Sequence, residues 1–402
     1  MKEQQQPYTI QSHYFWKITF CLALASFFIF ASMYAVQPLL TVFVDEFAVN
    51  ASTASLSMSF TIAGLIIGLI ILGFLSDRSG RTIFIKLSLL GSVIPFFIMP
   101  LFPSFSLLLV FRLIQGFAMA GLPAAALAYL SEEIESRSVG VATALYISSN
   151  ALGGMVGRVV AGYITDRFSW EAAFYVLAFL GLVVFLAILL LLPKSRFFTP
   201  SNLPFQQDIA GFLYHLKNPS MLLVFGLGII LQFSFTGVWT YLPFHLQEAP
   251  YHLSLQTISN MYLAYGLGVV GSPIAGWLAG RFSLKKLRLI GIVVLAIGIF
   301  MTVSTPLMMI VIGLCVACLG FFTAHSLTAT SVSEAATHHK GSASSLYLVA
   351  YYIGVSFGST AAAPIWEKGG WIGLVLFAGV LPVVYIIFIQ FVQKRNRQVV
   401  DE

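Results

Sequence analysis

Twelve long apolar runs separated by short polar breaks fill the chain, near residues 17–40, 54–75, 83–102, 105–129, 138–163, 172–192, 220–243, 254–279, 287–304, 307–330, 342–363 and 371–393. About 20 residues, at a rise of roughly 1.5 Å each, cross the hydrocarbon core of a bilayer as a helix. The runs are continuous instead of alternating, and a helix satisfies its own backbone polar groups inside lipid, so helices are predicted and not barrel strands. The first run is long enough to span and carries no small-residue cleavage site, so it reads as the first helix and not as a removable signal.

The longest polar interruption, 193–219, divides the spans six and six. This predicts an N-terminal six-helix bundle over 1–192, a cytoplasmic linker over 193–219 and a C-terminal six-helix bundle over 220–402. Within the linker, 205–216 fits either a short amphipathic helix on the inner membrane face or a solvated loop. The halves repeat. A shift of 201 positions lays the fifth run on the eleventh and matches Gly140, Ala142, Leu145, Tyr146, Gly153 and Gly157 with Gly341, Ala343, Leu346, Tyr347, Gly354 and Gly358. A shift of 203 lays the second on the eighth and matches Gly68, Gly73, Leu75 and Arg78 with Gly271, Gly276, Leu278 and Arg281, with Gly280 opposite Asp77. The expected architecture is an all-α polytopic membrane protein with twelve transmembrane helices in two pseudo-symmetric six-helix bundles.

Composition agrees: 58% of the 402 residues are apolar and 9% charged, against roughly 25% charged in soluble domains. With the N-terminus inside, the Lys and Arg residues fall on cytoplasmic segments, apart from Arg167 and Lys368 outside and Arg112 and Arg158 within spans. The positive-inside rule therefore puts both termini in the cytoplasm, and topology accounts for the net charge of +6 without nucleic acid. Cys21, Cys315 and Cys318 all lie in spans and read as small packing residues, with no metal site. Gly64, Gly68, Gly116, Ala120, Gly153 and Gly157 recur at four-residue spacing, as close helix packing requires. No phosphate-cradling Gly-x4-Gly-Lys loop and no nucleophile–base constellation is present, so neither an enzyme nor a bound cofactor is expected.

Residues 73–81, Gly-Phe-Leu-Ser-Asp-Arg-Ser-Gly-Arg, form a hydrophilic nine-residue link between the second and third runs. The pattern Gly-x-Leu-x-Asp-Arg-x-Gly-Arg, carried by Gly73, Leu75, Asp77, Arg78, Gly80 and Arg81, resembles the cytoplasmic signature of the major facilitator superfamily. The resemblance covers essentially the whole chain. It implies a charge network closing the cytoplasmic side, with Asp77 near a helix N-terminus and Glu132, Glu133, Glu135 and Arg137 as available partners. It also implies substrate between the halves near the midplane and transport by rocking one half against the other.

Arg112 should lie roughly 10 Å into the membrane, at 1.5 Å per residue from the outer end of its helix, and Arg158 at similar depth. The repeat puts Leu314 and Ser359 at the equivalent positions, so the helical scaffold itself needs neither charge. A buried guanidinium is costly unless paired or wet. Two readings stand: outward snorkelling or pairing with Asp45 or Glu46, and a cavity that attracts an anion or biases proton coupling. Arg112 with Gln115 and Gly116 resembles the Arg-x-x-Gln-Gly motif of proton-driven members, which implies a part in coupling. Tyr146, Asn150, Gly154 and Arg158 form one slowly winding stripe. The fifth run keeps the Gly153-Gly154 pair of drug–proton antiporters but lacks their Gly-Pro, and is closer to a bacterial inner-membrane subgroup of efflux-type facilitators. No Asp or Glu lies deep in a span, which leaves Asp45, Glu46, Glu248, His245 and His325 as titrating groups. Tyr34, Gln37, Gln232, Trp239, Tyr347 and Tyr351 are the remaining cavity candidates, with Trp239 and Tyr241 equally readable as interfacial belt residues.

The leading expectation is proton-coupled efflux of amphipathic small molecules by alternating access, through a functional monomer in a bacterial plasma (inner) membrane. The partners are a small-molecule substrate, protons and the lipid bilayer. The alternative is a facilitator or symporter for a small anionic or sugar-like metabolite. A transport-inactive sensor is disfavoured, because no sizeable soluble domain is attached.

Overall fold

The computed structural model describes residues 6–201, 205–279, 281–336, 338 and 340–401. Gly280, the repeat partner of Asp77, and positions 202–204 of the linker lie outside the described residues. Helices occupy all twelve predicted places. Ten are long and apolar enough to cross a membrane: His13–Phe47, Ala51–Ser79, Arg81–Leu101, Phe105–Glu133, Val139–Arg167, Trp170–Leu191, Pro219–Gln247, Leu255–Ala279, Leu307–Ala335 and Ala363–Val392. The other two, Leu284–Met301 and Lys340–Thr360, are the ninth and eleventh. Lys285, Lys286 and Arg288 crowd the start of the ninth, and serines and tyrosines dilute the eleventh. In the linker, Phe205–Leu216 is helical.

Chemistry explains the breaks in the first and twelfth spans. The first span runs as an α-helix from His13 to Tyr34, tightens to a 3₁₀ turn at Gln37–Leu39 and resumes at Leu40. Pro38 sits in that turn, where its missing N–H cannot continue the ladder. The twelfth is broken at Gly370, whose φ of 57° and ψ of −155° suit a residue without Cβ.

The chain forms two compact units, Met1–Val49 with Leu56–Leu203, and Asn50–Ser55 with Pro204–Glu402. Within the first, span one packs on span five and span three on spans four and six. Within the second, span seven packs on span eleven and span nine on spans ten and twelve, the same scheme six helices on. Matched glycines make these contacts possible. A Cβ on Gly153 or Gly157 would come within 2.1 Å of the Phe27 carbonyl oxygen or 2.3 Å of that of Ala31. A Cβ on their repeat partners Gly354 and Gly358 would likewise come within 2.4 and 2.6 Å of the carbonyl oxygens of Ile229 and Phe233. Spans two and four meet likewise, with Gly64 against Leu113 and Gly116 against Thr61. Large apolar side chains such as Phe20, Phe179, Leu190 and Phe391 cover outer faces, as lipid contact requires.

The signature segment differs from its predicted form. Residues 73–79 continue the second helix, and the break is confined to Gly80, at φ 108°, after which Arg81 begins the third helix. Polarity there marks where the helix leaves the lipid, and helical hydrogen bonding continues to Gly80, whose N–H donates to the Ser76 carbonyl.

Candidate functional site

Three clusters gather the predicted residues. At the Gly80 break, the Arg81 guanidinium is buried between Asp77, four residues earlier, and Glu132 at the end of the fourth span. Its Nη2 and Nε lie 2.9 and 3.0 Å from Glu132 Oε1, and Nη1 reaches Ser76 Oγ at 3.3 Å. Gly80 makes this geometry possible, because its positive φ turns the chain sharply enough for two helix ends to share a guanidinium. Asp77 lies in the last turn of its own helix, four residues before Arg81 opens the third. Its charge therefore faces the negative end of that dipole, and Arg81 offsets the repulsion. The Arg78 guanidinium lies 3.5 Å over the Phe74 ring and donates to the Phe74 carbonyl. Gly73 faces Ala124 at ordinary contact distance. Of the neighbouring acidic residues, Glu133 turns to Arg196 and Glu135 accepts from Ser138.

The second cluster surrounds the break in the first span. Arg112 is fully buried, yet among the described residues no carboxylate is a hydrogen-bond partner. It donates to the carbonyls of Ser32 (3.4 Å), Met33 (2.9 Å) and Ser57 (3.2 Å) and to Gln115 Oε1 (2.5 Å). Ser32 and Met33 belong to the last turn of the Tyr34-terminated helix, where carbonyls lose their intrahelical partners and the helix dipole is negative. Arg112 thus caps a helix end inside the membrane, and Gln115 extends the link to the Ser92 carbonyl at 2.7 Å on the third span. From the other side, Arg158 Nε donates to Gln37 Oε1 at 2.7 Å and Nη1 to the Gly154 carbonyl at 2.6 Å, with its plane 4.0 Å from the Tyr34 ring. One turn further along, Asn150 accepts from the Ser26 hydroxyl, and Tyr146 is buried beyond it. The stripe on the fifth span therefore faces the first span. Asp45 and Glu46 are exposed at the end of the first span, and the Arg112 hydrogen bonds described above go to other residues.

In the second unit, four rings stack in a column: Phe235 on Phe321 (centroids 3.9 Å, 6° apart), Phe321 on His325 (5.6 Å, 4°) and His325 on Tyr347 (5.6 Å, 20°). The Tyr347 hydroxyl lies 2.9 Å from His325 Nδ1, and Tyr351 flanks the imidazole at 4.8 Å. Trp239 packs between Tyr262 and Tyr265. Trp239 and Tyr241 are both fully buried, which removes them from a lipid-facing belt. Among the described residues, the Trp239 Nε1–H and Gln232 Oε1 are buried without a hydrogen-bond partner, while Gln232 Nε2 donates to Thr236. An apolar groove of about 570 Å³ lined by Phe97, Tyr175, Val176, Phe179 and Leu180 contains none of the candidates. The cysteines are free.

Sequence reasoning missed the carbonyls of Ser32, Met33 and Ser57, the Ser26–Asn150 contact and the place of Phe321 in the column. Pro38 was a usable signal for the first of these, since a proline inside a predicted span frees carbonyls that a nearby donor must satisfy.

The sequence model of the Major Facilitator Superfamily matches residues 22–359 and 224–401. The chain is 35% identical to the uncharacterized MFS-type transporter YybF of Bacillus subtilis (strain 168), over 90% of this chain and 89% of that protein. It is 34% identical to the inner membrane transport protein YnfM of Escherichia coli (strain K12), over 93% and 89%. Its fold is similar to that of a bacterial homolog of the human lysosomal transporter Spinster, solved inward-facing and unoccupied. The TM-score is 0.76, with 94% of this chain and 97% of the other covered and 15% identity, a level that speaks for the fold alone.

Proposed function

Because the chain belongs to the Major Facilitator Superfamily and is a membrane transporter of that type, we propose that it exports amphipathic small molecules by proton-coupled alternating access. The column Phe235–Phe321–His325–Tyr347 carries this reading. Flat apolar faces suit a lipophilic ligand, the buried Trp239 donor and Gln232 acceptor offer it polar anchors, and an imidazole held by a phenol can take up and release a proton. The Asp77–Arg81–Glu132 cluster is the cytoplasmic latch in this scheme, and Arg112 and Arg158 hold the broken first span against which the substrate moves. Both termini are assigned to the cytoplasm of a bacterial inner membrane, the two bundles to 1–192 and 220–402 on either side of the linker, and one copy suffices.

A specific observation favours the second reading, a facilitator or symporter for a small anionic or sugar-like metabolite. Arg112 and Arg158 put two guanidiniums deep in one unit, and carbonyls and amides are what they grip in the contacts described above. Arg158→Ala would then shift selectivity away from anionic compounds.

Collapse of a pre-formed proton gradient in inverted vesicles, on adding compounds sorted by charge and lipophilicity, tests the choice. Collapse by lipophilic compounds, absent from Asp77→Asn vesicles, supports proton-coupled export. Collapse restricted to small anions or sugars favours the second reading, and silence from folded, inserted protein removes proton coupling.

A further inference from the structure

A fully buried carboxylate lies outside all three clusters. Glu133, the last residue of the fourth span, is withdrawn from solvent, and both of its oxygens are occupied by the first residues after the sixth span. Oε1 accepts from the Ser195 hydroxyl at 2.8 Å and from the backbone N–H groups of Arg196 and Phe197 at 2.5 and 3.1 Å. Oε2 accepts from Arg196 Nε at 3.2 Å. Two consecutive N–H groups converging on one carboxylate oxygen fix the direction of this segment as well as its place.

The same residue anchors the N-terminal arm. The Tyr8 N–H donates to the Glu133 carbonyl at 2.8 Å, and the Tyr8 carbonyl accepts from the Glu135 N–H at 3.1 Å. Arg196 closes the arrangement, its guanidinium 3.6 Å over the Tyr8 ring and donating to the Gln6 carbonyl. Beyond Glu133, residues 193–201 run as a strap across the cytoplasmic end of the first unit. Pro193 accepts from the Tyr129 hydroxyl at 2.9 Å, the Phe198 ring lies 5.5 Å from the Arg81 guanidinium, and the Ser201 N–H donates to the Asp77 carbonyl at 2.8 Å. The adjacent residues Glu132 and Glu133 thus project differently from one helix end: Glu132 to the Arg81 latch, Glu133 to the strap that touches that latch at two further points.

We propose that Glu133 is a positioning residue for the cytoplasmic latch, acting through the strap: it docks 193–201 and the N-terminal arm, and the docked strap seats Arg81 and Asp77. The linker is then an applied brace over its first nine residues. The latch role rests on the transporter reading, whereas the docking does not, so the test measures both without transport.

Hydrogen–deuterium exchange on the purified full-length protein in detergent is that test, read by peptide for 6–10, 73–81 and 193–201. In Glu133→Ala, exchange at Tyr8, Arg196, Phe197 and Ser201 should rise by about tenfold or more, as expected for a locally opened segment, and the 73–81 peptide should follow. Glu133→Gln, whose amide oxygen still accepts from the Arg196 and Phe197 amides, should restore protection to 73–81. A merely structural residue would not give that selective rescue. Phe198→Leu, which leaves the Glu133 contacts intact, should loosen 73–81 while 193–197 stay protected, and it keeps the test open if Glu133→Ala fails to fold. Unchanged exchange at 193–201 in Glu133→Ala overturns the docking. A loosened strap with 73–81 still protected, or Phe198→Leu indistinguishable from wild type, overturns the positioning role and leaves the transporter reading untouched.

Discussion

Arg112 is fully buried, so its removal has a cost that can be worked from its contacts. Arg112→Ala orphans two buried carbonyl oxygens, those of Ser32 and Met33, and the Gln115 amide oxygen, while the Ser57 carbonyl keeps the Thr61 hydroxyl at 3.0 Å. Each buried polar group left without a partner costs about 1–3 kcal/mol, so the substitution should destabilise the protein by about 3 kcal/mol or more before the lost packing is counted. That is a large share of the roughly 5–15 kcal/mol by which folded domains are stable. Arg112→Lys keeps a charge near the negative end of the helix but lacks the planar fork. Its single ammonium can satisfy about half of these acceptors, which leaves a loss of about 2 kcal/mol. Denaturant unfolding of the purified protein in detergent micelles reads the difference directly. An Ala variant as stable as wild type would refute the assignment of Arg112 as the cap of the first helix. An unaltered Lys variant that nonetheless lost gradient-driven transport would make coupling, not bracing, its chief role.

Other substitutions separate packing from gating. Gly116→Ala places a methyl 1.8 Å from the Thr61 carbonyl oxygen, so the second and fourth spans must separate at a cost of about 1–3 kcal/mol, whereas Gly140→Ala meets nothing within 4 Å; melting curves of the pair should differ accordingly. Asp77→Asn removes a charge from a side chain 47% exposed, so thermal stability should change by less than about 1 kcal/mol while turnover in vesicles falls sharply; normal turnover sinks the latch. His325→Gln keeps a hydrogen-bonding partner for Tyr347 but cannot titrate, so it should abolish accumulation against a gradient and leave substrate exchange intact; retained accumulation would assign the proton to another group.

The spans and their pairing were legible because lipid imposes a simple rule on each of them. Apolar length marks a crossing, and glycine spacing marks a close approach, as at Gly153 and Gly157 and again at Gly354 and Gly358. Register beyond a span end was not legible. Residues 73–79 read as a loop because they are polar, yet a helix can carry Asp77 and Arg78 once it has left the lipid, and only the backbone at Gly80 shows where it stops. The same gap separates Glu132 from Glu133: neighbours on a helix point about 100° apart at 3.6 residues per turn, and which one meets Arg81 depends on how the second, third and fourth spans are packed. The arginines were found as unusual charges, but their partners are mostly backbone carbonyls, which no residue pattern displays. Trp239 could be read as a belt residue from its place near a span end, and tertiary packing against Tyr262 and Tyr265 removed that option.

The central claim is proton-coupled export, and its most direct measurement is accumulation of a labelled compound from the vesicle screen in proteoliposomes under an imposed pH difference. With the interior acid and the cytoplasmic face outward, the compound should concentrate inside above the bathing level, fall back to equilibrium when a protonophore is added, and accumulate in the opposite sense when the pH difference is reversed. Equilibration to the same level at every pH difference would contradict the account and identify an uncoupled carrier.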